Sequence, residues 1–222
     1  MTEKLAHLKV ALRDMGSVAV AFSAGVDSTF LLRVAHEELG DRAMAVTVRS
    51  PLIPPHELDD AVAFCRQEGI RHEVINFDAL SAPAVVANPP DRCYHCKKEV
   101  FGLILAFARA NGLAAVAEGS NTDDDGDFRP GRRAIRELGV RSQLHGAGLS
   151  KVDIRALSRE MGLSTWDKPS FACLASRFPY GEAPGGGKAA RRSHARPHHS
   201  RFALRRGRRF HVARRTFGGG LT

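Results

Sequence analysis

The chain has 222 residues, 43% of them hydrophobic, which suffices for one sizeable domain with a buried core. No run approaches the ~18 consecutive apolar residues of a membrane-spanning helix. The charged start MTEKLAHLKVALRDMGS lacks the features of a secretory signal, and four unevenly spaced cysteines do not form a secreted disulfide framework. Composition thus excludes membrane and disulfide-rich secreted classes, and we expect a cytoplasmic protein.

The basic charge is concentrated at the C-terminal end. The formal net charge is +9, yet residues 183–222 hold ten Arg, one Lys and no acidic residue, whereas residues 1–182 hold 22 basic and 24 acidic residues. The tail is either a basic arm that binds nucleic acid nonspecifically or the product of a reading-frame error in a GC-rich gene. We favour the second interpretation, because the change after Glu182 is abrupt. The prediction is one domain, residues 1–182, followed by an aberrant basic tail, residues 183–222.

Strands and helices are predicted to alternate along the domain, which starts with an amphipathic helix. Predicted strands cover residues 18–22, 43–48, 72–77 and 114–117, and predicted helices cover residues 2–15, 56–68, 132–138 and 151–161, with one more that starts near residue 29 and one that ends near residue 111. This alternation predicts an α/β fold: a doubly wound parallel sheet with helices on both faces.

The loop after the first strand is the most informative segment. It reads Ser23-Ala24-Gly25-Val26-Asp27-Ser28, a turn of small residues that directs backbone N–H groups and the positive end of a helix dipole at one point. That arrangement suits a phosphate or pyrophosphate, although no Gly-Lys-Ser/Thr closes the loop as in a Walker A motif. Asp27 either caps the helix or faces a magnesium ion. The alternative for the whole loop is an ordinary capped strand-to-helix turn.

Two further loops, residues 48–51 and 118–124, also follow predicted strands directly. Ligands of a doubly wound sheet bind beyond the carboxyl ends of its strands, so these loops are expected to share one site with residues 23–28. Val48, Ser50 and Gly119 therefore join the nucleotide-binding candidates, with Lys151 as a cation for the phosphates. Asp123 and Asp124 either ligate magnesium or cap the following helix.

Several sequence blocks resemble a known family. Residues 23–28 resemble the PP-loop of the ATP pyrophosphatases, proteins of the adenine nucleotide alpha hydrolase-like fold that include GMP synthetase, NAD synthetase and tRNA-thiolating enzymes. Blocks at residues 118–124, 126–132, 148–151 and above all 166–177 (WDKPSFACLASR) resemble LarE, the ATP-dependent sulfur transferase of nickel-pincer nucleotide cofactor synthesis. The resemblance spans roughly residues 5–182. It departs from the family at Ala24, where a second Gly is usual, and after Glu182, where the family's C-terminal region is not recognisable.

The resemblance implies a two-part reaction. With ATP and magnesium, a carboxylate of pyridinium-3,5-biscarboxylic acid mononucleotide would be adenylylated with release of pyrophosphate, and sulfur would then displace AMP to leave a thiocarboxylate. The implied substrate-binding residues are Arg132, Arg177 and Lys97, with a surface role as the alternative for Arg132, and Asp124 is the implied magnesium ligand. The implied partners are a small-molecule nucleotide, further copies of the chain in a homo-oligomer and other enzymes of nickel-pincer cofactor synthesis. Membrane and nucleic acid are not expected partners.

The cysteines decide how sulfur is supplied. The family resemblance implies that Cys173 either gives up its own sulfur and becomes dehydroalanine, or joins Cys93 and Cys96 in holding a 4Fe-4S cluster that carries an expendable sulfur. Three thiolates would leave one iron open for a hydrosulfide. Zinc, with His95 or another ligand, is the remaining alternative. Cys65 lies among apolar residues and is expected to be buried in the core.

Two other functions compete. One is a different PP-loop adenylating enzyme, either a tRNA-thiolating enzyme or an amide-forming synthetase. A tRNA enzyme needs a basic RNA-binding surface, and the slight acidic excess of residues 1–182 opposes that function. The other is a noncatalytic nucleic-acid-binding protein that acts through its tail.

Overall fold

The computed structural model of the chain describes residues 1–126 and 129–184. The predicted tail from residue 185 onward lies outside the described residues. The strands are β1 Val18–Ala21, β2 Ala43–Arg49, β3 Arg71–Asn76 and β4 Ala115–Ala117, and the helices are α1 Thr2–Asp14, α2 Val26–Leu39, α3 Pro55–Gln67, α4 Pro83–Val86, α5 Arg92–Ala110, α6 Gly131–Glu137, α7 Gln143–Gly146 and α8 Lys151–Glu160. Short 3-10 helices cover Gly40–Arg42, Thr122–Gly126 and Leu174–Arg177. None of the helices in the described part of the chain is long and apolar enough to cross a membrane.

The four strands form one parallel sheet in the order β3-β2-β1-β4. Val18 is in register with Ala43 of β2 on one side and with Ala115 of β4 on the other. The chain therefore builds the sheet outward from β1 to β3 and then returns to the opposite side of β1. This reversal opens a crevice between the carboxyl ends of β1 and β4, which is where ligands of doubly wound folds bind.

Helices cover both faces of the sheet. On one face, Val18 and Val20 of β1 belong to a core that includes residues of α1, α2, α3, α7 and α8. On the other face, Ala19 of β1 packs with residues of α5 and α6 in a second core. Alternate residues of β1 thus face opposite helix layers, as the two-residue period of a strand requires. The predicted doubly wound sheet is confirmed.

Helix α8 is stabilised at its start by a capping box. The Ser150 side chain accepts a hydrogen bond from the Asp153 amide, and the Asp153 carboxylate accepts one from the Ser150 amide. Asp153 also accepts a hydrogen bond from Lys4 of α1 at 2.7 Å. These contacts, with Lys4 first and the Ser150 amide and hydroxyl next, lower the pKa of Asp153 to about 2.

Asp153→Asn is expected to lower the free energy of unfolding by about 1 kcal/mol at pH 7, because it removes the charge of the cap. The Asp153 contribution is fully present above the ordinary aspartate pKa of 3.8 and is lost as the pH falls through about 2. The difference in the free energy of unfolding between the variant and the parent should therefore become smaller as the pH falls from 3.8 to about 2, which urea denaturation at a series of pH values measures. Asp14→Asn, at an exposed position of α1, is the control and should leave the parent's acid profile unchanged.

Candidate active site

A cleft of about 1490 Å³ lies beyond the carboxyl ends of β1, β2 and β4. It brings together many of the residues that the sequence predicts for the site: Ser23, Gly25, Asp27, Ser28, Val48, Ser50, Lys97, Gly119, Asp124 and Lys151. Ala24, Val26, Arg132, Arg177, Cys93, Cys96 and Cys173 are not among the lining residues. The cleft nevertheless reaches the cysteine segment, because Ala172 and Leu174, the neighbours of Cys173, line it.

The PP-loop is closed by its two serines. The Ser28 hydroxyl accepts a hydrogen bond from the Ser23 amide at 3.3 Å, lies 3.1 Å from the Ser23 hydroxyl and donates to the Gly25 carbonyl at 3.2 Å. Gly25 is the N-cap of α2, and no side chain caps that helix end. The first N–H groups of a 14-residue helix therefore face the cleft without a capping side chain, an arrangement that favours an anionic ligand.

Ala24 adopts a left-handed backbone with φ of +54° and is buried. This is the position at which the family pattern usually has glycine, so the structure explains the preference: only glycine adopts this conformation without strain from a Cβ atom. Alanine is the smallest residue that has a Cβ atom, and the hydrogen bonds between Ser23, Gly25 and Ser28 form with it in place.

Ala24→Gly is expected to change the free energy of unfolding by less than about 1 kcal/mol, because relief of strain offsets the lost methyl packing and the added freedom of the unfolded chain. Ala24→Val should cost more than about 2 kcal/mol, since a β-branched residue is a severe outlier at positive φ. Urea denaturation of both variants checks the pair. Equal stability of the two variants would contradict the left-handed assignment.

Gly119, in the loop after β4, approaches the start of α2 closely. A Cβ atom at this position would lie 3.1 Å from the Ser28 amide nitrogen and 3.2 Å from the Asp27 Cβ. The two loops that flank the crevice are thus in direct contact through a residue without a side chain. Glycine at this position allows β4 and the PP-loop to line one continuous cleft.

Asp27 connects the PP-loop to two other segments. Its carboxylate accepts a hydrogen bond from Lys151 Nζ at 2.5 Å and another from Asn121 Nδ2 at 3.3 Å. Asp27 makes no capping hydrogen bond at the start of α2, and its contact with magnesium stays a prediction. Lys151 is the first residue of α8, and its ammonium group lies beside the start of α2, where it could pair with a bound phosphate.

The acidic loop after Asn121 is held mainly by internal contacts. Asp124 accepts hydrogen bonds from the Asn121 amide at 3.0 Å and from Arg129 at 2.6 Å. Arg132 donates to the Asp124 carbonyl at 2.9 Å and pairs with Asp125 at 2.8 Å. The structure therefore places Arg132 behind this loop, outside the cleft, while its predicted substrate contact stays a prediction. Arg177 ends the 3-10 helix Leu174–Arg177, and its substrate role is likewise untested.

The three cysteines Cys93, Cys96 and Cys173 lie in one region, on the first turn of α5 and the segment before the last 3-10 helix. Burial raises the pKa of Cys96 to about 11, and the charges of Cys173 and Cys93 add to this effect. Cys173 is exposed, yet desolvation by the protein around it raises its pKa, while the Ala175 amide and the charge of Arg92 act in the opposite direction. Cys65 is buried as expected, which raises its pKa to about 12.

In the part of the chain that the structure describes, the donor side chains around these cysteines are not arranged as the ligands of one metal ion. Across residues 1–126 and 129–184, no three His, Cys, Asp or Glu side chains are placed to hold one metal ion. The thiols supply the soft ligands that an iron–sulfur cluster requires, but the side chains do not converge as ligands do. This arrangement of the described residues does not support the predicted 4Fe-4S cluster.

Sequence reasoning missed three residues of this region. Lys168 donates to the Ala24 carbonyl at 3.1 Å and to Asp60 at 2.7 Å, and so links the cysteine segment to the PP-loop. Phe171 is exposed in the cleft and packs edge-on against His56 with ring centroids 5.9 Å apart. The guanidinium of Arg92 lies 3.8 Å from Cys93 Sγ. Lys168 and Phe171 stand in the block 166–177, but no sequence pattern indicates their contacts.

Comparison with known proteins adds two relatives and one fold neighbour. No family model matches the chain. Over 182 residues the chain is 42% identical to an uncharacterized protein of Synechocystis and 40% identical to pyridinium-3,5-bisthiocarboxylic acid mononucleotide synthase of Lactiplantibacillus plantarum. The chain belongs to the LarE family. Both alignments cover 82% of this chain, and they cover 68% and 66% of the two relatives.

The fold of this LarE family member is also found among solved structures. An NH3-dependent NAD synthetase from Campylobacter jejuni, solved with a nitrate ion, superposes with a TM-score of 0.54 over 79% of this chain and 78% of that one. The identity is 15%, so this likeness concerns the fold alone. It agrees with the PP-loop architecture that the LarE blocks imply.

Proposed function

We propose that this LarE family member is an ATP-dependent sulfur transferase that converts a carboxylate of pyridinium-3,5-biscarboxylic acid mononucleotide into a thiocarboxylate. One observation carries the proposal: the uncapped start of α2 and the segment that bears Cys173 border the same cleft. The first can hold the pyrophosphate that leaves an activated carboxylate, and the second can supply the sulfur that replaces AMP.

The first half of the reaction is activation of the carboxylate. A carboxylate oxygen of the substrate attacks the α-phosphorus of ATP, and pyrophosphate leaves toward the backbone N–H groups of the PP-loop. Lys151, at the start of α8, and Lys97, which also lines the cleft, are the cations for the negative charge that develops. When bound, magnesium would neutralise part of this charge. Asp27, Asp123 and Asp124 line the cleft and are the candidate carboxylate ligands, although in the described residues they are not placed as three ligands of one ion.

The second half transfers sulfur from Cys173. The Cys173 thiol, once deprotonated, attacks the activated acyl carbon and expels AMP, which leaves a thioester. Loss of the Cys173 α-proton then breaks the Cβ–S bond, so that the thiocarboxylate departs and dehydroalanine remains in the chain. Each chain transfers one sulfur atom by this route. Cys173 is exposed, so an activated acyl group in the neighbouring cleft can reach its sulfur.

The deciding experiment is incubation of the full chain with ATP, magnesium and the biscarboxylate nucleotide, followed by mass spectrometry of the protein and of the small molecules. We expect AMP, pyrophosphate, a thiocarboxylate product and a loss of about 34 Da at Cys173, the mass of hydrogen sulfide. Product formation with unchanged protein mass and bound iron would replace the sacrificial route by the cluster route. AMP release without any sulfur-containing product would refute both routes.

The partners proposed for this reaction are a small-molecule nucleotide substrate and the enzymes that make and consume it. A homo-oligomer also remains a prediction, for which analytical ultracentrifugation of the full chain is the direct measurement. A nucleic-acid role is tested by affinity against salt concentration with and without residues 183–222. Specific binding that survives this deletion would contradict the proposed function.

A further inference from the structure

The start of α5 and the segment after Cys173 are connected by two buried polar residues, Asn88 and Arg92. Asn88 is fully buried and has a left-handed backbone with φ of +48°. Arg92, the residue before Cys93, is 6% exposed. A buried guanidinium and a buried amide are costly to desolvate, so their contacts are expected to be specific.

The contacts of Asn88 lie on the chain that follows Cys173. Its Nδ2 donates to the Pro179 carbonyl at 2.8 Å and to the Glu182 carbonyl at 3.0 Å. Its own carbonyl accepts a hydrogen bond from the Gly181 amide at 2.9 Å. One residue thus holds three positions of a segment more than 90 residues away in sequence.

Arg92 contacts both the segment after Cys173 and the neighbouring Cys93. Its Nη1 donates to Asn88 Oδ1 at 2.5 Å and to the Ala175 carbonyl at 3.0 Å, and its Nη2 lies 3.8 Å from Cys93 Sγ. Among the residues described by the structure, no carboxylate pairs with Arg92 within salt-bridge distance. A buried guanidinium whose partners are a carbonyl, an amide oxygen and a thiol is arranged for positioning and not as half of an ion pair.

We propose that Arg92, supported by Asn88, is a positioning residue that fixes the Cys173 segment against the first turn of α5. Ala175 lies two residues after Cys173, so the Arg92 contact sets where the Cys173 side chain stands relative to the cleft. The expected effect of Arg92 on the rate of sulfur transfer rests on the proposed function, whereas its structural role does not. Sulfur transfer requires the thiol at an attack distance from an acyl carbon, whereas the N–H groups that hold the leaving pyrophosphate belong to the start of α2.

Four variants separate this role from general stability. Arg92→Met removes the donors at similar volume. Arg92→Lys keeps the charge but loses the planar guanidinium that directs Nη1 at both Asn88 and Ala175 and places Nη2 near Cys93. Asn88→Gly accepts the left-handed backbone and removes only the side-chain contacts. Arg109→Met is the matched control, because Arg109 is exposed on the last turn of the same helix.

The first measurement is hydrogen exchange of the full chain, which needs no substrate. The reporting amides are those of Phe178 and Gly181, which donate to Ala175 and Asn88 respectively. We expect their exchange to be at least about tenfold faster in Arg92→Met and Asn88→Gly than in the parent, with sheet amides such as Val20 unchanged. Arg109→Met should exchange like the parent. Equal protection in Arg92→Met and Arg109→Met would overturn the proposal.

The second measurement separates the two half-reactions. We expect Arg92→Met to lower the rates of AMP release and sulfur transfer by about ten- to a hundredfold, while substrate-dependent isotope exchange between pyrophosphate and ATP stays within about threefold of the parent. Arg92→Lys should not restore the rate. An equal loss in both half-reactions, or full activity in Arg92→Lys, would overturn the positioning role. If Arg92→Met does not fold, Asn88→Gly carries both measurements, and if the parent makes no sulfur product, hydrogen exchange alone decides on the positioning role.

Discussion

Cys173→Ser is expected to abolish formation of the thiocarboxylate, by at least about a thousandfold, while the chain still converts ATP and the biscarboxylate nucleotide into an adenylate and pyrophosphate. Serine has nearly the shape of cysteine but carries no sulfur to transfer. The PP-loop lies outside the substituted segment, so its half of the reaction should continue. Isotope exchange between pyrophosphate and ATP measures the first half, and mass spectrometry of the nucleotide product measures the second.

Three control variants sharpen this result. Cys65→Ala removes a buried core cysteine and should retain sulfur transfer, at some cost in stability. Cys93→Ser and Cys96→Ser should also retain it if Cys173 donates its own sulfur. A loss of product in both of these variants, equal to the loss in Cys173→Ser, would contradict the sacrificial route and favour a shared centre of the three cysteines.

Gly119→Ala is expected to weaken binding of ATP by about tenfold or more, because the added methyl group would press against the Ser28 amide and Asp27 at the start of α2. The amide nitrogen is backbone and has little freedom to move aside. The two loops would therefore move apart, and the N–H groups of the PP-loop would no longer point at the same phosphate group. Calorimetric titration with a nonhydrolysable ATP analogue and magnesium measures the change.

Gly102→Ala provides the matched control for this prediction. Gly102 lies inside helix α5, and a Cβ atom there would meet nothing within 4 Å. Alanine has the higher helix propensity, so this variant should gain about 0.5–1 kcal/mol in stability and keep the affinity of the parent. ATP affinity that is unchanged in Gly119→Ala would show that this close approach does not shape the nucleotide site.

Much of the fold was predictable because its signals are local. The strand, the small-residue loop and the helix around residues 18–39 form one continuous pattern, and the rule on carboxyl ends of parallel strands then collects the loops into one site. The left-handed backbone of Ala24 was not predictable from the alanine itself. Helix α4 and helix α7 were also missed, since four residues are too few to show a period.

The rest of the site depends on contacts that no local pattern encodes. Arg92 stood beside a predicted ligand, Cys93, but its partner Ala175 is 83 residues away in the chain. Arg132 has the right charge for a substrate and stands in a family block, and in the fold it contacts the Asp124 carbonyl and the Asp125 carboxylate of the acidic loop. Charge and motif thus predicted which segments come together, whereas packing decides which side chains line the cleft.

The hydrogen bond from Lys168 to the Ala24 carbonyl limits how far the sulfur atom can travel. Cys173 lies five positions after Lys168, a length that spans at most roughly 18 Å when fully extended, and Pro169 stiffens the start of this stretch. On its far side the same stretch is held at Ala175, two residues beyond the thiol. A chain anchored at both ends moves little between them. We therefore expect the activated carboxyl group to be brought to a thiol whose movement is restricted, with the nucleotide portion of the substrate supplying the binding contacts that place it there.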